Sequence, residues 1–241
     1  MHNKPTLYTS LSPALLHLYD LSNSIVVIID VFRATSTIAA ALYNGAKCVI
    51  PVDSVPKALD ISKSIDGIAA GERDGMIAEG LQHGNSPMEY NRDFIENKTL
   101  VLTTTNGTRL LQMALDKNAE TIISGSFPNL SAVCDFLIAE KKNAVLGCAG
   151  WKDRFNLEDT LFAGAVINRV KKHFTIHCDS SLMAEAMYAK HKNNLIGFAP
   201  NFTHYHRLAE RFGLIEDIKY CLTNDVANVL PVYSDGKLVA K

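Results

Sequence analysis

Residues 24–38 read SIVVIIDVFRATSTI, and this stretch decides the fold. Ser24–Ile29 is a short, β-branched apolar run, which predicts a strand buried on both faces. The run breaks at Asp30, after which residues 34–43 predict a helix and residues 47–52 a second strand. The order strand–turn–helix–strand is typical of layered α/β folds.

The pattern recurs 73 positions later as a weak internal repeat. Its segments are a strand at 98–102, a polar turn at 103–108, a helix beginning at 109–115 and a strand at 121–124. From two such units we expect parallel strands joined by right-handed crossovers, in an α/β/α arrangement with a mainly parallel sheet. The carboxyl ends of these strands should therefore face one ligand crevice.

The remaining segments are less regular. They are a strand at 144–148 followed by a helix at 157–170, a strand at 175–178 and a helix at 205–212. No linker divides the sequence, so we expect one domain over residues 1–241, or two closely packed lobes that divide near 125–145.

Composition excludes several classes of protein. The chain has 241 residues, 47% of them hydrophobic, and a formal net charge of −1, which favours a globular core over disorder and disfavours a nucleic-acid binder. No apolar run reaches the roughly 20 residues of a membrane span, and the start MHNKPTLYTS lacks the pattern of a secretion signal. Five cysteines without a C-x-x-C pair indicate reduced thiols. We expect a cytoplasmic protein without a membrane partner, and leave homo-oligomerisation open.

The segment IDVFRATSTI at 29–38 combines groups that bind phosphate. It places Asp30 at a strand end, Arg33 three residues later and hydroxyls at the entry to a helix, whose free N–H groups favour anions. Asp30 could also hold a divalent cation against phosphoryl oxygens. In the alternative interpretation, Thr35 or Ser36 only caps the helix and Asp30 pairs with Arg33. From this segment alone, both interpretations stay open.

The segment TTTNGT at 103–108 also lies between a strand and a helix. Its hydroxyls, the amide of Asn106 and the exposed backbone at Gly107 offer donors to an oxyanion. A merely capped turn is the alternative. Two further turns, GER at 71–73 and GNSP at 84–87, display charged or amide groups and are ambiguous alone.

Residues 148–154, CAGWKDR, have the C-x-x-x-x-x-R spacing of cysteine-dependent phosphatases. Such a short match is weak, and we favour a packing or substrate-lining role for Cys148. Glu158 and Asp159 open the next helix, where acidic residues favour the helix dipole. Alternatively, one of them points into the crevice as a metal ligand or base.

Taken in order, these segments resemble the 2-phosphosulfolactate phosphatase (ComB) family. The matching segments are IDVFRATSTI, GER, GNSP, TTTNGT, CAG at 148–150, LED at 157–159 and His204-x-x-Arg207-Leu208. The resemblance implies an α/β phosphomonoesterase that needs Mg²⁺ and acts on phosphorylated 2-hydroxy acids such as 2-phospho-3-sulfolactate, a step of coenzyme M biosynthesis. One departure is Trp151-Lys152-Asp153, where smaller, more polar residues would be expected; it bears on the width of the pocket.

From the matched positions we infer roles. Those for catalysis are Asp30, Arg33 and Asp159. Those for substrate or phosphate are Thr35, Arg73, Asn85, Ser86, Thr104, Thr105, Asn106, Gly107, Thr108, Cys148, Gly150 and His204. Those for Mg²⁺ are Asp30, Glu72, Glu158 and Asp159. Arg73 is our candidate for a second acidic group of the substrate.

The nucleophile is left open between water and Asp30. A haloacid-dehalogenase mechanism is disfavoured, because Phe32 stands where its second Asp would be. The rival hypotheses are a cysteine phosphatase that uses Cys148 and Arg154, and a non-catalytic anion-binding or sensory protein on the same fold.

Overall fold

The computed structural model describes residues 4–241 as a mixed α/β structure around one sheet. Met1–Asn3, the first residues of the start discussed above, lie outside the described part. The ten strands are β1 Leu7–Ser10, β2 Ser24–Ile29, β3 Cys48–Val52, β4 Ile68–Arg73, β5 Met76–Ile77, β6 Thr99–Thr103, β7 Thr121–Gly125, β8 Asn143–Cys148, β9 Pro231–Ser234 and β10 Lys237–Ala240.

Ten α-helices are assigned within the same residues. They are α1 Ala34–Tyr43, α2 Val55–Ile65, α3 Arg92–Ile95, α4 Gly107–Asp116, α5 Leu130–Glu140, α6 Leu157–Val170, α7 Asp179–His191, α8 Leu195–Phe198, α9 Thr203–His206 and α10 Ile215–Cys221. A wider π-helical turn, Arg207–Arg211, continues α9, so the helix predicted at 205–212 is present in altered form. No helix of residues 4–241 has the length and apolar character needed to cross a membrane.

The strands β2 and β8 lie at the centre of a parallel group. The sheet order is β1-β8-β2-β7-β9-β10-β3-β6-β4-β5, in which β1, β8, β2 and β7 are parallel, as are β3, β6 and β4. The antiparallel hairpin β9–β10 joins these two groups. The predicted α/β class with a mainly parallel sheet is confirmed.

Alternate residues of β2 enter two different cores, as expected for a strand buried on both faces. Ile25, Val27 and Ile29 pack in the core that contains α5 and α6. Val26 and Ile28 pack on the other face, with Leu110 and Leu111 of α4 among their neighbours. The sheet is thus covered by helices on both sides, which keeps the strand ends as the accessible polar edge.

The expectation that each repeat unit forms its own parallel crossover is wrong. β2 and β3, the two strands of the first unit, are not neighbours. Instead β2 pairs with β7 and β3 pairs with β6, so the two units exchange partners. A local apolar pattern specifies a strand but not its neighbour. The question of one domain or two lobes stays a prediction.

The predicted strand at 175–178 is also wrong. Thr175 forms a single parallel bridge with Thr6, and α7 begins at Asp179. With one bridge there is no ladder, because the segment pairs with the free edge of β1 only at Thr6 and the chain enters α7 four residues after Thr175.

Candidate active site

Asp30 follows the last residue of β2 and is fixed by the first turn of α1. Its N–H donates to the Thr35 hydroxyl over 3.1 Å, and its carbonyl accepts the Thr35 N–H over 3.0 Å. Thr35 is therefore a structural partner of Asp30, although no side chain within residues 4–241 caps the start of α1. The pairing of Asp30 with Arg33, part of the alternative interpretation of this segment, does not occur: Arg33 pairs with Asp217.

The Asp30 carboxylate contacts the start of α4, the helix of the second repeat unit. Its Oδ2 lies against the backbone of Gly107, the first residue of α4. A Cβ on Gly107 would lie 3.0 Å from Asp30 Oδ2 and 3.4 Å from the Cβ of Ala34, so glycine allows this close approach. In the 73-residue repeat, Ala34 and Gly107 are equivalent positions. The two helix starts therefore meet at Asp30.

Burial raises the pKa of Asp30 to about 7, and the neighbouring charges of Glu72 and Glu158 contribute in the same direction. His204 and the Gly107 N–H partly oppose this rise. A carboxyl group with this pKa exchanges a proton near neutral pH, which ordinary aspartates do not. Asp30 is therefore suited to acid–base chemistry.

Asp30 opens into a small cavity, here called the acidic chamber, with a volume of about 60 Å³. Its charged lining residues are Asp30, Arg33, Glu72, Asp74, Lys152 and Arg207. Its neutral polar lining residues are Asn85, Thr105, Asn106 and His204. The turns after β2 and β6 thus share one cavity, as the repeat predicts.

Arg33 lines the chamber, and an acidic residue outside the chamber lining, Asp217, balances its charge. Its Nη1 donates to Asp217 of α10, and its Nη2 donates to the Gly75 carbonyl over 3.0 Å. Asp217 also accepts the Ser86 hydroxyl over 2.8 Å. Ser86 therefore contributes by orienting Asp217, and the ion pair is buried. Sequence reasoning missed Asp217, because it looks like any acidic residue in the first turn of a helix.

Asp159 connects two of the strand ends. Its carboxylate accepts the N–H of Val31 over 2.8 Å and the N–H of Gly150 over 3.0 Å. Burial and the nearby charges of Glu158 and Asp30 hold the pKa of Asp159 well above its usual range. Gly150 has φ +56°, and a Cβ there would collide with the Arg154 carbonyl, so glycine is required. The roles predicted for Asp159 as catalyst and metal ligand stay predictions.

Glu158, His204 and Arg207 form a hydrogen-bonded chain beside the chamber. Arg207 donates to His204 Nε2 over 2.6 Å, which leaves the proton on Nδ1 to be donated to Glu158 over 2.8 Å. Glu158 is fully buried, and its Oε2 has no hydrogen-bond partner. A buried carboxylate oxygen without a donor is the kind of group that a cation stabilises.

The residues of TTTNGT divide between two surfaces. Glu72 accepts the Thr105 N–H over 3.1 Å and the Thr105 hydroxyl over 3.0 Å, which fixes the turn on the chamber side. The Thr104 and Thr108 hydroxyls lie 3.2 Å apart and line a different cavity, not the acidic chamber. Only part of the predicted threonine cluster therefore faces the place where Asp30 lies.

Of the other predicted residues Arg73, Asn85 and Cys148, only Asn85 lines the acidic chamber. Arg73 donates to the Glu72 carbonyl over 2.6 Å and to the Thr103 hydroxyl over 3.0 Å, and does not line the acidic chamber. Asn85 does line it, and its buried Oδ1 has no partner. Cys148 is fully buried, and burial raises its pKa well above the usual thiol range. A buried, protonated thiol is a poor nucleophile.

The donor set for a metal ion consists of carboxylate oxygens. Within residues 4–241, no three His, Cys, Asp or Glu side chains are grouped so that they could hold one ion. Mg²⁺ commonly binds one or two carboxylates and completes its shell with water and phosphate oxygens. Asp30 and Glu72, which both line the chamber, and the unpartnered Glu158 oxygen fit that pattern.

Comparison with known proteins identifies the family of this chain. A model of the family described as 2-phosphosulpholactate phosphatase matches residues 10–236. A protein of Caldanaerobacter subterraneus subsp. tengcongensis, named probable 2-phosphosulfolactate phosphatase, is 40% identical over 90% of this chain and 90% of its own length. Proteins of the same name from Thermotoga maritima and Clostridium acetobutylicum are 40% and 37% identical over 89% and 90% of this chain, and 91% and 92% of their own lengths. On this similarity, the chain belongs to the 2-phosphosulpholactate phosphatase family.

Proposed function

We propose that this protein hydrolyses the phosphate monoester of a small 2-hydroxy acid with the help of Mg²⁺. The first substrate to test is 2-phospho-3-sulfolactate, which would give 3-sulfolactate and phosphate. The observation that carries the proposal is the meeting of the two strand-end turns in the acidic chamber, where Asp30 approaches Gly107. The family relationship supports the same reaction class.

The chamber offers donors for phosphoryl oxygens from both repeat units. Arg33 comes from the turn after β2, while Thr105 and Asn106 come from the turn after β6. In phosphoryl transfer, most of the catalytic effect comes from positioning and from neutralising charge on the equatorial oxygens. Because Asp217 holds the Arg33 guanidinium, that donor needs little reorganisation when phosphate binds.

The charge of the chamber supports a divalent cation. Asp30, Glu72 and Asp74 line it together with Lys152, Arg207 and Arg33, and the charge of Arg33 is already balanced by Asp217. The three carboxylates therefore outnumber the two unbalanced cations by one. Such a cavity would repel a phosphate dianion unless protons or a metal offset the carboxylates. Glu72 would hold Mg²⁺, with the unpartnered Glu158 oxygen as a neighbouring acceptor, while Asp30 stays free of the ion and can exchange a proton. When bound, the ion would supply Lewis-acid polarisation of the phosphoryl group.

Asp30 is placed to move the proton of the reaction. Hydrolysis breaks the bond between phosphorus and the ester oxygen, adds water to phosphorus and delivers one proton to the departing alkoxide. A carboxyl group with a pKa of about 7 can take a proton from water or give one to that alkoxide near neutral pH. The Thr35 contacts fix the Asp30 backbone, and Gly107 lets the Asp30 carboxyl group lie against the start of α4.

The test is phosphate release from a panel of phosphorylated 2-hydroxy acids. The purified protein should turn over 2-phospho-3-sulfolactate with Mg²⁺, lose that activity in EDTA and regain it when Mg²⁺ is restored. An Asp30→Asn preparation purified in parallel controls for contaminating phosphatases. Binding of sulfolactate without turnover of any phosphomonoester would support the non-catalytic alternative, and undiminished turnover in EDTA would exclude the metal.

Cys148→Ser separates this mechanism from cysteine catalysis. Because Cys148 is buried and absent from the chamber lining, the variant should keep kcat within about tenfold of the wild type, whereas a lost nucleophile costs several orders of magnitude. Steady-state kinetics with circular dichroism as the folding check would decide. A folded Cys148→Ser protein without activity would give the cysteine mechanism first place.

All five cysteines are free, which is consistent with a reducing compartment. We therefore place the reaction in the cytoplasm.

A further inference from the structure

Three arginines lie at the candidate site, and they differ in what balances their charge. Arg33 pairs with Asp217. Arg73 donates to the Glu72 carbonyl and the Thr103 hydroxyl. Arg207 donates to the neutral Nε2 of His204, and no carboxylate oxygen of residues 4–241 lies within 4.0 Å of it. Of the two arginines that line the chamber, Arg33 and Arg207, Arg207 is therefore the one without a carboxylate partner in the described part of the chain.

Arg207 is held in place by an aromatic ring. Its Cζ lies 4.8 Å from the centroid of Trp151, and Lys152 Nζ lies 4.6 Å from the same ring. Cation–π contact fixes the guanidinium plane without using its hydrogen-bond donors. The buried Nε of Arg207 has no partner. A partly dehydrated guanidinium with unused donors binds an anion more strongly than a solvated one does.

Arg207 and Trp151 also separate two cavities. Both residues, with His204, line the acidic chamber and a neighbouring side cavity of about 490 Å³. The chamber, at about 60 Å³, has room for a phosphate group but not for a large organic part. Because the two cavities share Trp151, His204 and Arg207, a substrate whose phosphate fills the chamber can extend along Arg207 toward the side cavity.

We propose that Arg207, stacked on Trp151 and assisted by Lys152, forms the subsite for a second acidic group of the substrate, a carboxylate or sulfonate. This inference rests on the proposed function and names its specificity-determining residue. The subsite selects esters in which the second acid lies close to the phosphorylated carbon, because the chamber and Arg207 are contiguous. It takes the place that the sequence had suggested for Arg73.

The subsite also accounts for the departure seen in the sequence. Trp151-Lys152 replaces the smaller, polar residues expected after the CAG segment, and both side chains lie at the chamber. Trp151 supplies the stacking surface, and Lys152 brings a second cation without an ion-pair partner in the described structure.

Kinetics with two substrates tests the proposal. We compare 2-phospho-3-sulfolactate, which carries a second acidic group, with p-nitrophenyl phosphate, which carries none. Arg207→Gln should raise KM for the first by about 10–100-fold, the value of a charge-assisted hydrogen bond, and should lower kcat/KM for the second at least about tenfold less than for the first. Arg207→Lys should give an intermediate KM. Arg211→Gln, which removes an exposed cation outside both cavities, should leave both substrates unchanged.

Equal losses on both substrates would overturn the proposal, because Arg207 would then act by holding His204 or the fold. No loss on either would overturn it as well. If the wild type turns over no phosphomonoester, calorimetric binding of 3-sulfolactate and of inorganic phosphate still tests the subsite. Arg207→Gln should weaken only the sulfolactate, by about tenfold or more. Weakening of both ligands, or of neither, would contradict the assignment.

Discussion

The turns after β2 and β6 occupy equivalent places in the repeat, but the first carries charged side chains and the second carries neutral ones. The first carries the buried charges Asp30 and Arg33. The second carries neutral side chains, of which Thr105 is exposed. Both end at the start of a helix, and the two starts touch at Ala34 and Gly107. The turn after β2 thus supplies charged groups, and the turn after β6 supplies hydrogen-bond donors and a close backbone contact at Gly107.

The two turns also differ in what holds them. The first is held by Asp159 through the Val31 N–H and by Asp217 through Arg33, residues that come much later in the chain. The second is held by Glu72, through Thr105. Buried charges need such partners because an unpaired one is costly. The buried charges are therefore concentrated in the turn that is held by more distant parts of the chain.

We expect the largest loss of activity when the charged turn after β2 is changed and the turn after β6 is left as it is. Asp30→Asn keeps the shape but removes the ionisable group, so kcat should fall by about 10²–10⁴-fold. Thr103→Val is the matched change at the equivalent position. It removes one hydrogen bond from Arg73 and should cost less than about fivefold. Steady-state phosphate release measures both. Similar losses would mean that the two turns are not functionally different.

The next prediction concerns the free energy of unfolding and the Arg33–Asp217 ion pair, which holds the charged turn. Asp217→Asn leaves Arg33 buried without its counter-charge and should lower the free energy of unfolding by about 3–5 kcal/mol. Ser86→Ala is the control, because it removes only a hydroxyl that donates to Asp217 and should cost about 1 kcal/mol. Urea unfolding at constant pH measures the difference. Equal costs would show that the ion pair is not what holds the turn.

A third effect is the pH dependence of stability, measured in EDTA. The folded pKa of Asp30 is raised to about 7, whereas the unfolded value stays near 3.8, so between these pH values only the folded state keeps the proton. The contribution of Asp30 to wild-type stability therefore falls as pH rises from about 4 to 7 and is constant above that. Relative to the wild type, Asp30→Asn should gain on the order of 2–4 kcal/mol across this window. Thr103→Val should show no such pH-dependent gain, and a flat difference for Asp30→Asn would contradict the raised pKa.

The smallest expected loss of activity comes from a change at the contact between the two turns, where Gly107 meets Asp30. Gly107→Ala places a methyl group 3.0 Å from Asp30 Oδ2, so the carboxylate has to shift by a few tenths of an ångström. Displacement of a catalytic group on this scale should lower kcat by about tenfold. Gly147→Ala, whose Cβ would meet Leu110 at an ordinary 3.5 Å, is the control. Unchanged kcat in Gly107→Ala would show that Asp30 tolerates displacement.

Local patterns in the sequence predicted the individual elements well. The structure has the predicted bounds for β2, α1 and α6, because apolar runs and polar breaks mark them unambiguously. The failure at 175–178 has a physical cause: the segment pairs with the free edge of β1 only at Thr6 and then enters α7, so it is too short to form a ladder. The candidate site follows the same division, since Asp30, Arg33, Thr105 and Asn106 could be placed together from the repeat alone.

The sequence by itself determined the α/β class, the two strand–turn–helix units and the polar groups at their ends, because each depends on residues close together in the chain. Only the tertiary structure decided which strands pair and which charges are balanced. Arg33 meets Asp217 across 184 positions, and Arg207 reaches Trp151 from another element. Such contacts depend on how helices pack over the sheet, and no local pattern encodes that packing. Which arginine is left to bind a second anion was therefore decided by the fold.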